Sequence, residues 1–113
     1  MKIIKKSDAE IIKHGGVESA EYNTGNADLN MAVVTVNGRH PKQNYTMNTE
    51  CKEILYFING RAQLFMKNAD PQELAAGDIV LIEPNESYYW QGDFTAVTSC
   101  SPAWTIKQVK EVK

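Results

Sequence analysis

The stretch NTECKEILYFINGRAQLFM, which runs from Asn48 to Met66, decides the fold class. Residues 54–58 are all β-branched, aromatic or leucine, which is the composition of a strand. Asn59-Gly60 follows directly, and this dipeptide favours a type I′ hairpin turn because both central residues of that turn need a positive φ. The sequence therefore predicts a hairpin, with a second strand over 61–66 and Leu55 paired with Leu64.

Alternation along this predicted hairpin assigns each side chain to one of two faces. One face collects Glu53, Leu55, Phe57, Ala62, Leu64 and Met66, and the other collects Ile54, Tyr56, Ile58, Gln63 and Phe65. Both faces are largely apolar, whereas a sheet that meets water on one side shows a polar face. We therefore expect a sandwich or barrel whose outer face is covered by another segment or by a second chain.

The rest of the chain alternates short strand patterns with turn signals, which favours an all-β sandwich or small barrel. Strands are predicted over 17–22, 29–36, 45–48, 72–74, 79–82, 87–90 and 94–100, with turns at Asn37-Gly38 and at 91–93. One or two helical turns are predicted between Ser7 and Gly15, with His14 on the surface at their end. The chain is interpreted as one domain over 1–113, with an N-terminal segment (1–28), a barrel core (29–100) and a C-terminal tail (101–113).

Length and charge narrow the classes of partner. A chain of 113 residues has room for one domain with a sizeable core. The net charge is −2 and no basic stripe is present, which argues against nucleic acid as the main partner. No stretch approaches the ~20 apolar residues of a membrane span, and the apolar run at the N-terminus is too short for a signal peptide. We expect a cytoplasmic protein with Cys51 and Cys100 as free thiols, although the sequence leaves a disulfide between them open.

Two spacings resemble those of the cupin superfamily, whose fold is a double-stranded β-helix, or jelly-roll barrel. Glu53 and Gly60 have the spacing of the glutamate and glycine in the first cupin motif. Gly77-Asp78 resembles the start of the second motif, in which Asn85 then takes a glycine position and Tyr88 a histidine position. The chain resembles a small single-domain cupin of the conserved-barrel type, similar to mannose-6-phosphate isomerase-like cupins.

The resemblance also implies which residues face the barrel interior. The four metal-ligand positions of cupins are occupied here by Thr46, Asn48, Glu53 and Tyr88, so only the glutamate is kept and the histidines are replaced. Threonine and asparagine are poor ligands for a transition metal, and we therefore expect no metal and no other cofactor. The expected ligand-binding residues are these four with Trp90, and with Arg39 reaching the barrel mouth from its loop.

Three functions follow as alternatives from this interpretation. The first is metal-free binding of a small polar molecule, such as a sugar, in the barrel, since an aromatic wall beside hydrogen-bonding side chains suits such a ligand. The second is an isomerase or epimerase that acts on a sugar, with Glu53 or Tyr88 as acid or base. The third is an interaction protein whose barrel is filled by its own side chains. A homodimer with twofold symmetry is expected, since the second face of the hairpin is too apolar to meet water.

Overall fold

Antiparallel strands make up most of the chain. The structure, a computed structural model, describes residues 1–14 and 16–113, without the side chain of His14. The strands are β1 (Glu10–His14), β2 (Val17–Tyr22), β3 (Asn30–His40), β4 (Tyr45–Asn48), β5 (Lys52–Met66), β6 (Ala69–Ala75), β7 (Ile79–Ile82), β8 (Tyr88–Ser101) and β9 (Val109–Val112). Two short 3-10 helices span Lys6–Asp8 and Ile106–Gln108. The all-β prediction is confirmed.

Strand β8 lies at the centre of the sheet. On one side it pairs with β3, from Asn30 opposite Cys100 to His40 opposite Trp90. On the other side it pairs with β5, from Lys52 opposite Ser101 to Met66 opposite Tyr88. The sheet curls so that the start of β8 also pairs with β4, through Thr46 opposite Tyr88. The curl brings Tyr88 and Cys100, at the two ends of one strand, to the same inner region.

The predicted hairpin at Asn59-Gly60 is wrong, because β5 runs through this dipeptide as one continuous strand. The first half of β5 pairs with β7 and the second half with β6, so neither half pairs with the other. Gly60 does have a positive φ of 84°, and the register against β8 shifts between Phe57 and Asn59. Ile58, directly before the dipeptide, is therefore the extra residue of a β-bulge, and Gly60 supplies a positive φ beside it as it would in a tight turn. The local preference of Asn59-Gly60 does not distinguish a hairpin turn from a bulge. The long pairing of β5 with β8 decides in favour of the bulge.

The predicted turns at Asn37-Gly38 and at 91–93 are also bends within long strands. Gly92 lies between Gly38 of β3 and Ala62 of β5, so three residues with little or no side chain form a row across the sheet. A Cβ atom on Gly92 would collide with the carbonyl oxygen of Arg61. Small residues in register let the sheet bend sharply along this row, which closes the barrel.

The predicted assignment of β5 side chains to two faces is confirmed, although the predicted hairpin pairing between the two halves of β5 is not. Leu55, Phe57, Ala62 and Leu64 are buried and belong to one core cluster with Trp90 and Phe94 of β8. On the outer face, Ile54, Tyr56 and Ile58 are 42–51% exposed. Ile79 and Leu81 of β7 lie opposite Tyr56 and Ile54 and are 59% and 52% exposed. The outer side of β5 and β7 is therefore an open apolar surface.

Both ends of the chain differ from the sequence prediction. The region predicted as helical holds β1, which pairs with β2 and extends the sheet beyond β3. The apolar face of β5 stays uncovered because these N-terminal strands lie in the sheet instead of across it. At the other end, β9 pairs with β4, so part of the predicted tail belongs to the sheet. In the described residues, no helix has the length and hydropathy needed to cross a membrane.

Candidate functional site

The inner face of the curled sheet encloses a cavity of about 510 Å³. Most of its wall is apolar, and β3 and β8 contribute the largest shares of the lining residues. The polar side chains gather where Glu53 of β5 lies beside Cys100 of β8, with Asn30 of β3 on the other side of Cys100. The cavity has the size and the mainly apolar wall that small-molecule sites usually show.

Glu53 is the centre of this polar region. The Asn48 Nδ2 amide donates a hydrogen bond to Glu53 Oε2 at 3.2 Å, and the Cys100 thiol donates to the same oxygen at 3.7 Å. Protein atoms surround the carboxyl group, yet the side chain keeps part of its surface exposed because it lines the cavity. Asn48 and Glu53, two of the residues predicted to face the barrel interior, are thus joined by a hydrogen bond.

A second donor orients Asn48. The Trp104 indole Nε1 donates to Asn48 Oδ1 at 3.2 Å, and the backbone N–H of Trp104 donates to Asn30 Oδ1 at 3.1 Å. The segment after β8 is held further by the backbone bond from Ala103 N–H to the carbonyl of Ala27 at 2.9 Å. Trp104 therefore belongs to the site and also closes one side of the cavity.

Burial dominates the electrostatics of the site. Loss of solvation raises the pKa of Glu53 above its usual 4.5, and the negative charge of Glu21 on β2 raises it further. The hydrogen bonds from Asn48 and Cys100 oppose this rise, as does the nearby Thr98 hydroxyl. Thr98 Oγ1 makes no hydrogen bond of ordinary geometry with the described residues, so its effect is that of a neighbouring dipole. The site favours a protonated Glu53 over a wider pH range than water does.

The other titratable groups around Glu53 also favour their neutral forms. Burial, with a smaller contribution from the charge of Glu53, raises the pKa of the Tyr88 phenol well above 10.0. The pKa of the Cys100 thiol is raised from 9.0 by the same two causes. Burial also raises the pKa of Cys51. Both cysteines are buried free thiols, as expected, and neither has the lowered pKa of a nucleophilic cysteine.

Of the six residues predicted to form the site, five line the cavity. Asn48 bonds Glu53, Tyr88 lies close enough to feel its charge, and Thr46 and Trp90 also contribute to the wall. Trp90 packs against Phe57 and Phe94 at ring-centroid distances of 5.7 and 5.3 Å, so it also belongs to the core.

Arg39 lies elsewhere than predicted. Its guanidinium group sits 3.8 Å from the centroid of the Tyr89 ring, and it donates hydrogen bonds to the carbonyls of Pro41 and Asn44. Tyr89 alternates with the inward-facing Tyr88 and Trp90 along β8, so its ring lies on the outer face. Arg39 is absent from the cavity wall and does not pair with Glu53.

Sequence reasoning missed Trp104, Thr98, Cys100 and Asn30. Thr98 and Cys100 share the inward face of β8 with Tyr88 and Trp90, and the alternation along 88–100 is visible in the sequence. The predicted turn at 91–93 split that strand and concealed the pattern. Trp104 carries no such signal, because its position depends on how the chain folds back after β8.

The polar side chains of the cavity do not suit a metal ion. The Asn48 oxygen accepts from Trp104, its amide nitrogen faces Glu53, and the Tyr88 phenol keeps its proton. Within the described part of the chain, no three His, Cys, Asp or Glu side chains are placed to hold a metal together. One carboxyl group and neutral oxygen donors make a poor site for a transition metal.

Comparisons with known proteins bear on the fold. No protein-family model matches the chain, and no curated protein matches it in sequence. The structure is similar to that of Pac13, a nucleoside dehydratase, with a TM-score of 0.88 over 100% of this chain and 92% of that chain at 17% identity. A variant of Streptomyces PAC13 with uridine has a TM-score of 0.87 and 18% identity, covering 100% of this chain and 93% of that one.

Two further solved structures of similar size share the architecture. Ectoine synthase from P. lautus has a TM-score of 0.77 at 12% identity, covering 100% of this chain and 91% of that one. KdgF from Halomonas sp. has a TM-score of 0.72 at 13% identity, covering 91% of this chain and 96% of that one. Identities this low show the fold alone. The chain has the cupin fold, a single curled antiparallel barrel.

Proposed function

We propose that the protein binds a small, hydroxyl-bearing molecule, such as a sugar or nucleoside, in the barrel without a metal, with Glu53 as the anchoring group. The observation that carries this proposal is the cavity of about 510 Å³, whose mainly apolar wall holds a hydrogen-bonded polar cluster centred on Glu53. Such a wall suits the faces of a ring, and the polar region suits hydroxyl or carbonyl oxygens.

The similar structures support this ligand class by analogy. One is a nucleoside dehydratase, and its variants were solved with uridine. The analogy concerns the fold, and it does not transfer individual residues at 16–18% identity. A closer likeness to mannose-6-phosphate isomerase-like cupins stays a prediction from the sequence.

An acid–base enzyme acting on a sugar is the second candidate. The observation that favours it is a carboxyl group in the cavity wall whose pKa burial raises above 4.5, which is the direction that suits a general acid. Tyr88 keeps its proton and would serve as a donor in such a reaction. Turnover of a bound sugar that is lost in Glu53→Gln while binding remains would favour this enzyme over simple binding.

A barrel filled by its own side chains is the third candidate. The bonds from Trp104 to Asn48 and from Asn48 to Glu53 are what such a protein would also form. The size of the cavity favours binding over this candidate, because a cleft of about 510 Å³ has room for a small molecule.

A binding screen tests the proposal. Uridine, D-ribose and small organic acids are titrated by calorimetry into the parent, Glu53→Ala and Thr35→Ala. Thr35 is exposed on β3, where its hydroxyl contacts that of Thr95, so its variant is a control. We expect binding by the parent and the control, and loss of binding in Glu53→Ala. Equal affinity in Glu53→Ala would place the site elsewhere, and no binding of any probe would favour the filled barrel.

The expected absence of a metal has its own measurement. Elemental analysis of purified protein is expected to find no stoichiometric zinc, iron, nickel or manganese, because the donors near Glu53 are neutral or already hydrogen-bonded. About one such ion per chain would contradict the metal-free proposal.

The assembly and location of the protein are part of the proposal as well. A homodimer is supported by the apolar outer surface of β5 and β7, which the N-terminal strands leave open. A cytoplasmic location stays a prediction from the sequence.

A further inference from the structure

The two oxygens of Glu53 have different partners. The Asn48 amide and the Cys100 thiol both donate to Oε2. Neither bond reaches Oε1, and the side chain keeps part of its surface exposed toward the cavity. Oε2 is therefore held by two donors, whereas no hydrogen bond of ordinary geometry with the described residues holds Oε1.

Trp104 determines which end of the Asn48 amide faces Glu53. An indole N–H only donates, so the group it reaches on Asn48 must be the oxygen. The amide nitrogen then points to Glu53 Oε2 as a donor. Two hydrogen bonds keep the indole in place: Trp104 N–H donates to the side chain of Asn30 at the start of β3, and Ala103 N–H donates to the carbonyl of Ala27.

The proton of a neutral Glu53 then has one favourable position. Two donors already point at Oε2, so a hydrogen there would face them, whereas a hydrogen on Oε1 meets neither donor. Of the titratable groups near Glu53, Glu21 carries the negative charge that raises its pKa, and Cys51, Cys100 and Tyr88 favour their neutral forms. Lys13, His40 and Glu111 also line the cavity.

Resting on the proposed function, we infer that Glu53 presents an Oε1–H donor to an acceptor oxygen of the ligand, and that Trp104 is the positioning residue that sets this arrangement through Asn48. The recognised group is accordingly a neutral carbonyl, ether or hydroxyl oxygen. An ammonium group is disfavoured, because it donates where the site already has a donor.

Glutamine at position 53 has nearly the same shape as a protonated glutamate and also carries one acceptor oxygen and a donor. In Glu53→Gln the donors from Asn48 and Cys100 select the amide oxygen, so the amide NH₂ takes the place of Oε1–H and faces the cavity. A site that needs a donor keeps its function in Glu53→Gln, whereas a site that needs a carboxylate loses it.

The first experiment needs no ligand. The carboxyl carbon of Glu53 is titrated by ¹³C NMR in the parent, in Trp104→Phe and in Phe57→Leu, which loosens the core away from Asn48. We expect Glu53 to titrate above 4.5 in the parent. Trp104→Phe should raise the pKa further, because the freed amide can turn its oxygen toward the carboxyl group. The role of Trp104 is overturned if its variant shifts the titration no more than Phe57→Leu does.

The second experiment uses uridine as the probe across the titration range. The affinity of the parent should fall about tenfold for each pH unit above the pKa of Glu53. Glu53→Gln should keep the low-pH affinity at every pH, and Glu53→Ala should lose it. If Glu53→Gln loses as much binding as Glu53→Ala does, the proposed role of Glu53 as a hydrogen-bond donor is overturned. If uridine binds none of the proteins, the proposed function fails for nucleosides and the donor role falls with it, while the NMR comparison still decides the role of Trp104.

Discussion

At the scale of the residue, the burial of Glu53 lowers the stability of the fold but provides a polar group in the cavity for a ligand. A carboxyl group surrounded by protein loses solvation, and hydrogen bonds from Asn48 and Cys100 return only part of that loss. The nearby charge of Glu21 adds to the cost of ionisation. Titratable groups whose pKa is shifted by burial in a cavity often serve a function, and we therefore place the ligand next to Glu53.

Glu53→Gln should increase stability at neutral pH. Below about 4.5 the carboxyl group is protonated in both folded and unfolded chains, so it contributes no pH dependence. As the pH rises from there to the higher pKa of the folded state, the unfolded chain releases its proton first and the parent loses stability. The uncharged variant avoids this loss.

Thermal melts between about pH 4 and about pH 8 measure the effect. The difference in melting temperature between Glu53→Gln and the parent should grow with pH and level off once folded Glu53 has ionised. Glu73→Gln, at an exposed site on β6, is the control and should show no such growth. A constant difference at all pH values would mean that Glu53 titrates normally.

At the scale of the element, the barrel is shaped by the bulge in β5 and by the row of small residues formed by Gly38, Gly92 and Ala62. Gly60 has a positive φ and lies against β8, where a Cβ atom would collide with the Asp93 carbonyl and crowd Phe94. Gly77, in the turn before β7, has a φ of 92° with no atom within 4 Å of a Cβ atom. A comparison of substitutions at Gly60 and Gly77 therefore distinguishes the cost of backbone strain from the cost of steric collision.

Gly60→Ala should destabilise the protein more than Gly77→Ala. The turn substitution should cost about 1–3 kcal/mol, from the positive φ alone. The bulge substitution adds a collision with backbone atoms that have no room to move, and valine there should be worse still. Urea unfolding of the two alanine variants measures the difference. Equal losses in the free energy of unfolding would contradict the packing of the bulge against β8.

At the scale of the whole molecule, the outer surface of β5 and β7 predicts self-association. Ile54, Tyr56, Ile58, Ile79 and Leu81 are 42–59% exposed on neighbouring strands. Exposed apolar surfaces of this kind usually mark an interface, and a twofold axis would let the surface cover itself.

Light scattering at micromolar concentration should give twice the mass of the chain. Tyr56→Lys places a charge in the middle of the apolar surface and should give a monomer. Gln72→Lys, at an exposed position of β6, should stay dimeric. A monomeric parent would refute the homodimer.

The sequence by itself determined the fold class and much of the inner face. Strand composition and alternation indicated the buried Leu55, Phe57, Ala62 and Leu64, and the cupin spacings pointed to Asn48, Glu53 and Tyr88 as neighbours in one cavity. These inferences hold because period-two alternation and motif spacing are properties of the chain itself. The positive φ of Asn85, at a glycine position of the second motif, follows for the same reason.

Only the tertiary structure decided how the strands connect and what completes the site. Asn59-Gly60 satisfies a turn and a bulge equally, and pairing with the distant β8 selects the bulge. Arg39 was predicted to reach the site and instead lies on the outer face against Tyr89, whereas Trp104, for which the sequence predicted no role, folds back onto Asn48. Contacts between residues 56 positions apart, such as Trp104 and Asn48, depend on the path of the whole chain, and local preferences carry no information about that path.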